Sequence, residues 1–307
     1  MHNLFLFAGR RVFSCLAHAA GEENIDWDGK GAVAMAILLA CGEEGLLLRR
    51  ETWQALPMPL RCASLVAAGD DRLAVVDDEA HQLWTGESVV PVPGGVEALR
   101  VWRGRFLVLS GDTDCMTVLD AQSGSPLIAA PAGVYPQDLC LIPGEDLAAV
   151  CGGADGSVRL MRLPSLMTVR LLRVPGSAQR ITFFGGWLYV LCAAEDDGLK
   201  CLLCRVPLRG GRYDPLCTLP GLPGAIRADA SGGLWVAASE GLYYFPPGES
   251  SPDRTLLGQG LIRHLDQRAG GLLVTDPVLG RLSMVDARAR AVAQTLYEGD
   301  VRQGLFV

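Results

Sequence analysis

The stretch YPQDLCLIPGEDLAAVCGGADGSVRLMRLPSLMTVRLLRVPG, residues 135–176, contains four short apolar segments. In chain order these are QDLCLI, DLAAVC, SVRLMRL and TVRLLRV, and Gly, Pro or Asp turns separate the first three. Short apolar runs between turn residues are typical of β-strands, whereas an amphipathic helix needs a longer run with a 3.6-residue period. The stretch therefore predicts a sheet of four short strands.

The same pattern of four segments recurs along the chain. Six such units begin near residues 62, 97, 136, 179, 225 and 263. Four short strands repeated every ~40 residues are typical of a β-propeller, in which each unit forms one blade. We therefore predict an all-β protein in which residues 1–307 form a single closed β-propeller domain of four-stranded blades. The six clear blade repeats span residues 62–301.

Two of the units, GLLVTDPVLGRLSMVDARARAVAQTL (271–296) and RFLVLSGDTDCMTVLDAQSGSPLIAA (105–130), share a finer pattern. In each, an apolar strand and a turn precede a strand that ends in Asp286 or Asp120, and a further strand follows. This order resembles the YVTN-type and WD-repeat-like β-propeller families. The Tyr-Val-Thr-Asn tetrapeptide and the Gly-His and Trp-Asp pairs of those families are missing, so the resemblance implies the architecture only.

Residues 1–61 and 302–307 flank the clear repeats. The segment 24–57 fits a degenerate blade, and the tails 3–19 and 301–307 contain further apolar runs. We expect the tails to pair and complete the ring, because an open propeller would expose two sheet edges. We favour seven blades, in which the tails complete a neighbouring blade, because seven is the common size. Eight blades remain the alternative, if the tails together form a blade of their own.

Composition excludes several classes of function. The chain has a net charge of −7, which argues against a nucleic-acid-binding protein, since such proteins usually carry a basic face. The longest apolar segment, residues 32–41, is about half as long as a membrane-spanning helix. No basic start precedes the first apolar run, so we find no export signal. We predict a cytoplasmic protein with reduced thiols and no membrane partner.

Cys201 and Cys204 form a Cys-x-x-Cys spacing on the third strand of one unit. Side chains on a strand alternate between faces, so residues three apart point to opposite sides of the sheet. A zinc site of this spacing needs a turn and usually a second Cys or His pair, and none is evident. Cys41, Cys151 and Cys192 each end a strand, where a buried thiol acts as a small apolar group. We predict no metal and no cofactor.

Five arginines recur in similar contexts at the start of the predicted innermost strands: Arg100, Arg180, Arg227, Arg263 and Arg302. Innermost strands line the central channel of a propeller, so these arginines would surround one mouth of it. Acidic residues recur in the turns between second and third strands: Glu43, Glu44, Asp77, Asp78, Glu79, Asp112, Asp114, Asp155, Glu195, Asp196, Asp197, Glu240 and Asp276. Alternating strand direction places these turns on the same face.

Two interpretations of these charges remain open. The turn acids are good hairpin residues, and the arginines could pair with them and join neighbouring blades. Alternatively, the arginines converge on an anion, since the guanidinium group binds carboxylate or phosphate in bidentate fashion.

The leading functional hypothesis is a non-enzymatic binding module or scaffold whose Arg-rich and acidic face takes a protein segment or a small anionic ligand. The alternative is a lactonase-like propeller hydrolase that uses Asp138, Asp229 and Asp266 in the channel. His264, near the start of an inner strand, is a further catalytic candidate, although an ordinary hydrogen-bonded histidine is the simpler interpretation. No catalytic motif is recognisable, which favours a protein that is not an enzyme and leaves an enzyme open.

Overall fold

A computed structural model describes residues 36–194, 200–256, 260–268, 270–288 and 290–307. Every regular element in these ranges is a β-strand. The first fourteen strands are β1 Ile37–Cys41, β2 Gly45–Arg49, β3 Trp53–Leu56, β4 Leu65–Gly69, β5 Arg72–Asp77, β6 Gln82–Trp84, β7 Val89–Pro91, β8 Val96–Trp102, β9 Arg105–Ser110, β10 Cys115–Asp120, β11 Pro126–Pro131, β12 Pro136–Leu141, β13 Leu147–Gly152 and β14 Ser157–Arg162.

The remaining fourteen strands complete the architecture. They are β15 Met167–Arg173, β16 Ser177–Phe184, β17 Trp187–Ala193, β18 Lys200–Pro207, β19 Asp214–Pro220, β20 Pro223–Ala228, β21 Leu234–Ala238, β22 Gly241–Phe245, β23 Arg254–Leu256, β24 His264–Arg268, β25 Gly271–Asp276, β26 Arg281–Asp286, β27 Ala291–Glu298 and β28 Gln303–Phe306. No helix long and apolar enough to cross a membrane occurs in the described ranges.

The strands form seven antiparallel sheets of four, which are the blades of a β-propeller. Blade 1 contains β28, β1, β2 and β3; blades 2 to 7 take the strands from β4 to β27 four at a time in chain order. The innermost strands of consecutive blades contact one another, and β28 contacts both β24 and β4. The prediction of an all-β propeller with seven blades is confirmed.

Blade 1 is built from both parts of the chain. Its innermost strand is the C-terminal β28, which pairs with β1 so that Gln303 lies opposite Ala40 and Phe306 opposite Ile37. The segment predicted as a degenerate blade therefore supplies three strands, and the C-terminal tail supplies the missing fourth. The expected contribution of residues 3–19 lies outside the described residues.

The core lies between neighbouring blades. Each of the seven clusters of buried apolar side chains combines residues of two adjacent blades, such as Leu99 and Phe106 of blade 3 with Val76 and Leu83 of blade 2. Strand alternation explains this arrangement, because each sheet presents apolar residues on both of its faces and buries each face against a different neighbour. The core thus fixes the angle between blades and positions the innermost strands around the axis.

Cys201 and Cys204 lie on β18, the third strand of blade 5. Cys201 packs in the cluster shared with blade 6, whereas Cys204 packs in the cluster shared with blade 4. The prediction that the two side chains point to opposite faces is confirmed. Cys204 shares its face with Cys192, whose pKa is raised by a hydrogen bond to the Cys204 thiol and by burial. Both thiols therefore behave as apolar core groups.

Candidate functional site

Four innermost strands share a β-bulge near their first residue. The register skips one residue in β8, β12, β16 and β20, namely Glu97, Gln137, Gln179 and Gly224. Counted from this bulge, Arg180 is the first residue after it, whereas Arg100 and Arg227 are each the third. The expectation that the arginines open their strands is wrong for Arg100, Arg180 and Arg227, which lie inside β8, β16 and β20. The position relative to the bulge matches for Arg100 and Arg227 and differs for Arg180.

Polar side chains on the innermost strands accept hydrogen bonds from the backbone of the next blade. The Asp138 carboxylate accepts from the Ile181 amide at 3.1 Å, and the Asp266 carboxylate accepts from the Phe306 amide at 2.9 Å. The Gln303 side chain accepts from the Val66 amide at 2.8 Å, which joins blade 1 to blade 2. These bonds satisfy backbone donors that the sheets leave unpaired at the channel.

Two of the arginines bind these same carboxylates. Arg100 of blade 3 lies 3.1 Å from Asp138 of blade 4, and Arg227 of blade 6 lies 3.4 Å from Asp266 of blade 7. Each Arg–Asp pair, together with the amide that the aspartate accepts from, connects three consecutive blades. The acid partners of these arginines are therefore inner-strand aspartates and not the hairpin acids that the sequence pattern suggested.

The described hairpin acids mostly bind backbone amides of their own turn or of the next blade. Asp276 accepts from the amides of Val278 and Leu279, and Asp78 accepts from the Val96 amide at 2.9 Å. Asp155 differs, because it forms an ion pair with Arg159 of the same blade at 2.8 Å. The predicted acids Glu195, Asp196 and Asp197 lie outside the described residues.

Arg180 of blade 5 binds carbonyl oxygens on both sides. Its Nε donates to Gly224 O of blade 6 at 2.8 Å, and its Nη1 donates to Gln179 O at 2.8 Å and to Gln137 O of blade 4 at 3.4 Å. Gly224 is required here, since a Cβ at this position would collide with the Ile262 carbonyl oxygen. Arg180 is thus held in place by neutral partners and keeps its full positive charge.

These residues surround a cavity of about 390 Å³ on the propeller axis. Arg100, Arg180, Arg227 and Arg263 all line it, and so do Glu97 and Asp138. Among the described lining residues, four arginines face two acids. Because Arg227 also pairs with Asp266 outside the lining, a formal surplus of one positive charge remains, in a chain whose net charge is −7. The cavity is therefore electrostatically opposite to the protein as a whole.

Among the arginines that line the cavity, Arg263 has the fewest groups nearby to compensate its positive charge. Within the described part of the chain its guanidinium makes no hydrogen bond and no ion pair. Burial and the positive charge of Arg180 lower the pKa of Arg263, and Glu97 opposes that effect. Burial likewise raises the pKa of Glu97, although Arg180 and Arg263 favour its ionised form. Arg263 is thus a partly buried cation beside a second cation.

His264 lies next to Arg263 and also lines the cavity. Burial lowers the pKa of His264 to about 3, and the charges of Arg180, Arg100 and Arg263 lower it further in the same direction. The imidazole is therefore neutral near pH 7 and adds no charge to the cavity. It offers a hydrogen-bond donor or acceptor beside the arginines.

Arg302 lies outside this arrangement. It directly precedes an innermost strand, as Arg263 does, yet it is exposed, does not line the cavity and pairs with Asp300 at 2.8 Å. The structure thus brings together four of the five predicted arginines and separates Arg302 from them.

The three aspartates named for the hydrolase alternative do not meet. Asp229 lies in the turn after β20, where it accepts from Ser231, Gly233 and the Tyr244 hydroxyl. Asp138 lines the cavity and Asp266 does not, and each is bound by an arginine and a backbone amide. In the described part of the chain, no group of three or more His, Cys, Asp or Glu side chains could hold a metal ion.

Sequence reasoning missed Glu97 and underweighted His264. Glu97 occupies the bulge position, where blades 4 and 5 carry Gln137 and Gln179. Aligning GVEALR with YPQDLC and SAQRIT by their common polar residue would have given Glu97 the same position as Gln137 and Gln179, with Asp138 and Arg180 each directly after that position.

Comparisons with known proteins find structural likeness only. No protein-family model and no curated protein matches the chain. A functionally unknown protein from Desulfotomaculum acetoxidans DSM 771 superposes with a TM-score of 0.70 at 11% identity, over 87% of this chain and 98% of that one. The computationally designed Ika8 protein gives a TM-score of 0.62 at 14% identity, over 91% of both chains.

Hydrazine synthase from Kuenenia stuttgartiensis gives a TM-score of 0.62 at 12% identity, over 76% of this chain and 79% of that one. Identities this low indicate a shared fold and leave the function to be argued from the site.

Proposed function

We propose that this protein is a non-enzymatic β-propeller binding module whose central cavity holds a small anionic ligand. The carrying observation is the surplus of arginines in the cavity of an otherwise acidic chain. Arg100 and Arg227 are largely committed to Asp138 and Asp266, so Arg263 and Arg180 are the groups that a ligand would engage. A carboxylate or phosphate suits them because it accepts two parallel hydrogen bonds from one guanidinium.

The size of the cavity favours a small ligand over a protein segment. Its volume of about 390 Å³ lies at the lower end of the range for small-molecule sites, roughly 300–1,000 Å³. His264, neutral near pH 7, would add one directional hydrogen bond to the ligand. The hydrolase alternative gains no support from the described geometry. The cytoplasmic location and the specific repeat family remain predictions.

Thermal unfolding with anions tests this proposal. Citrate, malonate and phosphate should raise the melting temperature of the wild-type protein with saturation, because a ligand that binds only the folded state stabilises it. At a ligand concentration of 100 times Kd the gain is about 2.7 kcal/mol. Arg263→Gln should abolish the saturable part of the response.

Arg302→Gln is the matched control, since Arg302 also precedes an inner strand but lies outside the cavity. It should retain the full response. Phosphate and citrate also stabilise proteins generally by exclusion from their surface, so an equal rise in all three proteins indicates that effect alone. Such a result, or no rise in the wild type, refutes the proposal.

A further inference from the structure

The outer edge of blade 4 carries an exposed strand. β15 is the last strand of its sheet, and six of its seven residues are exposed. Three of these are apolar: Met167 is 54% exposed, Val169 38% and Leu171 47%. Edge strands of natural proteins are usually short, charged or covered, because a free edge can pair with another chain. An exposed apolar edge of this length suggests that it is covered by a partner.

A groove runs between β15 and a loop of blade 5. We define the outer groove by its lining residues Arg170, Leu171, Leu172, Arg173, Gly210, Gly211, Arg212, Tyr213 and Pro215. Its volume is about 840 Å³. The Arg170 guanidinium donates to Leu208 O at 2.9 Å and thereby ties the loop of blade 5 to the strand of blade 4. The groove is therefore a formed feature of the interface between two blades.

The charge of the outer groove is entirely positive. Arg170, Arg173 and Arg212 line it, and none of the described lining residues is acidic. Asp214, which follows Tyr213 and begins β19, forms an ion pair with Arg205 at 2.7 Å and lines a different pocket. Arg173 donates to the backbone carbonyl of Asp155, whose carboxylate pairs with Arg159 and compensates Arg173 only in part. A basic groove on an acidic protein complements a negatively charged partner.

We infer that the outer groove binds an extended acidic peptide segment of a partner protein, which adds to the free edge of β15 as a fifth strand. Main-chain hydrogen bonds to the edge would give affinity, as in other cases of strand addition. Acidic side chains of the segment would reach the arginines, and the intervening apolar side chains would cover Leu171 and Tyr213, which is 40% exposed. This site is independent of the central cavity.

Fluorescence anisotropy with a defined probe tests the inference. The probe is a fluorescein-labelled peptide of alternating Glu and Val residues, long enough to span β15. It should bind the wild-type protein with saturation, and binding should weaken as salt is added. Arg212→Glu should weaken binding about tenfold, which corresponds to about 1.4 kcal/mol. Arg209→Glu is the matched control, because Arg209 is exposed in the same loop but does not line the groove.

Three further measurements separate this inference from others. A peptide with Lys in place of Glu should not bind, and a peptide with two central prolines should bind much more weakly, since proline lacks the N–H that pairs with a strand edge. Arg263→Gln should leave binding unchanged, which shows that the central cavity is not the site.

Equal effects of Arg209→Glu and Arg212→Glu would indicate only diffuse attraction and would overturn the inference. Undiminished binding of the proline peptide would exclude strand addition. An oligothymidylate that binds as tightly, with the same dependence on Arg212, would indicate a nucleic-acid site instead. Absence of any binding by the probe also counts against the inference.

Discussion

The arginines at the channel form two groups that differ in their partners. Arg100 and Arg227 pair with aspartates of the next blade, and those aspartates bind the backbone of the blade beyond. Arg263 has no such partner in the described structure and lies beside Arg180. The difference indicates that a channel arginine helps to join neighbouring blades when an inner-strand carboxylate pairs with it. It is available to a ligand when no carboxylate does so.

The largest effect should come from breaking one Arg–Asp connection. Asp266 is half-buried and accepts a hydrogen bond from the Phe306 amide of the C-terminal strand while it pairs with Arg227. Asp266→Ala should lower the free energy of unfolding by up to about 3 kcal/mol, because it leaves the buried Phe306 amide without an acceptor. Urea unfolding measures the loss.

Asp266→Asn sharpens this experiment. Burial raises the pKa of Asp266 despite the nearby Arg227, so the negative charge itself is disfavoured at this position. An asparagine keeps an oxygen for the Phe306 amide and should cost about 1 kcal/mol or less. If both variants lose the same stability, the ion pair and not the inter-blade hydrogen bond holds the C-terminal strand.

The second effect depends on pH and reports the burial of His264 beside the channel arginines. His264 has a folded-state pKa of about 3, below its ordinary value of 6.5. Between these values the unfolded chain binds a proton that the folded protein does not, so this contribution to stability falls as pH falls. Between pH 6 and pH 4 the wild-type protein should lose about 2–3 kcal/mol through this group alone.

His264→Gln provides the comparison for that measurement. Urea unfolding of both proteins at pH 6 and pH 4 isolates the histidine, because every other titrating group, including Glu97, is common to them. The variant should lose less stability on acidification than the wild type by the amount stated. Parallel losses would mean that His264 titrates in the folded state as it does in the unfolded chain, contrary to its position beside three arginines.

The sequence predicted the propeller architecture better than the candidate site. Four apolar segments per unit, separated by Gly and Pro turns, are local features, and they predicted the blades correctly. The C-terminal QGLF segment was assigned to ring closure from the need to cover an edge, and it forms the innermost strand of blade 1. Local patterning therefore sufficed wherever a strand and its turn determine the structure.

The arginine set shows where this reasoning failed. Similar triplets such as ALR and AIR do not reveal that a bulge residue directly precedes them, three positions before the arginine, whereas in AQR the arginine follows the bulge residue directly. The strand register after the bulge therefore places Arg180 two positions earlier along its innermost strand than Arg100 and Arg227. The partners also lie 38 and 39 residues away, in the next blade, so pairing with Asp138 and Asp266 depends on how blades pack. Asp138 and Asp266 were consequently considered for catalysis and not as partners.

The smallest effect is also the most specific, because its sign distinguishes the two groups of arginines. Without ligand, Arg263→Gln should stabilise the protein by about 0.5 kcal/mol, since it removes a partly buried charge and its repulsion by Arg180, which together outweigh its attraction to Glu97. Arg302→Gln should instead destabilise it by up to about 0.5 kcal/mol, because it removes an exposed ion pair with Asp300.

Melting temperatures should therefore move by about 1 °C in opposite directions, which replicate calorimetry resolves. Added sodium chloride should shrink both shifts, because it screens repulsion and attraction alike. If Arg263→Gln destabilises the protein as Arg302→Gln does, then a group of the chain already compensates the charge of Arg263. The distinction between arginines that join blades and arginines available to a ligand would then fail, because it depends mostly on Arg263.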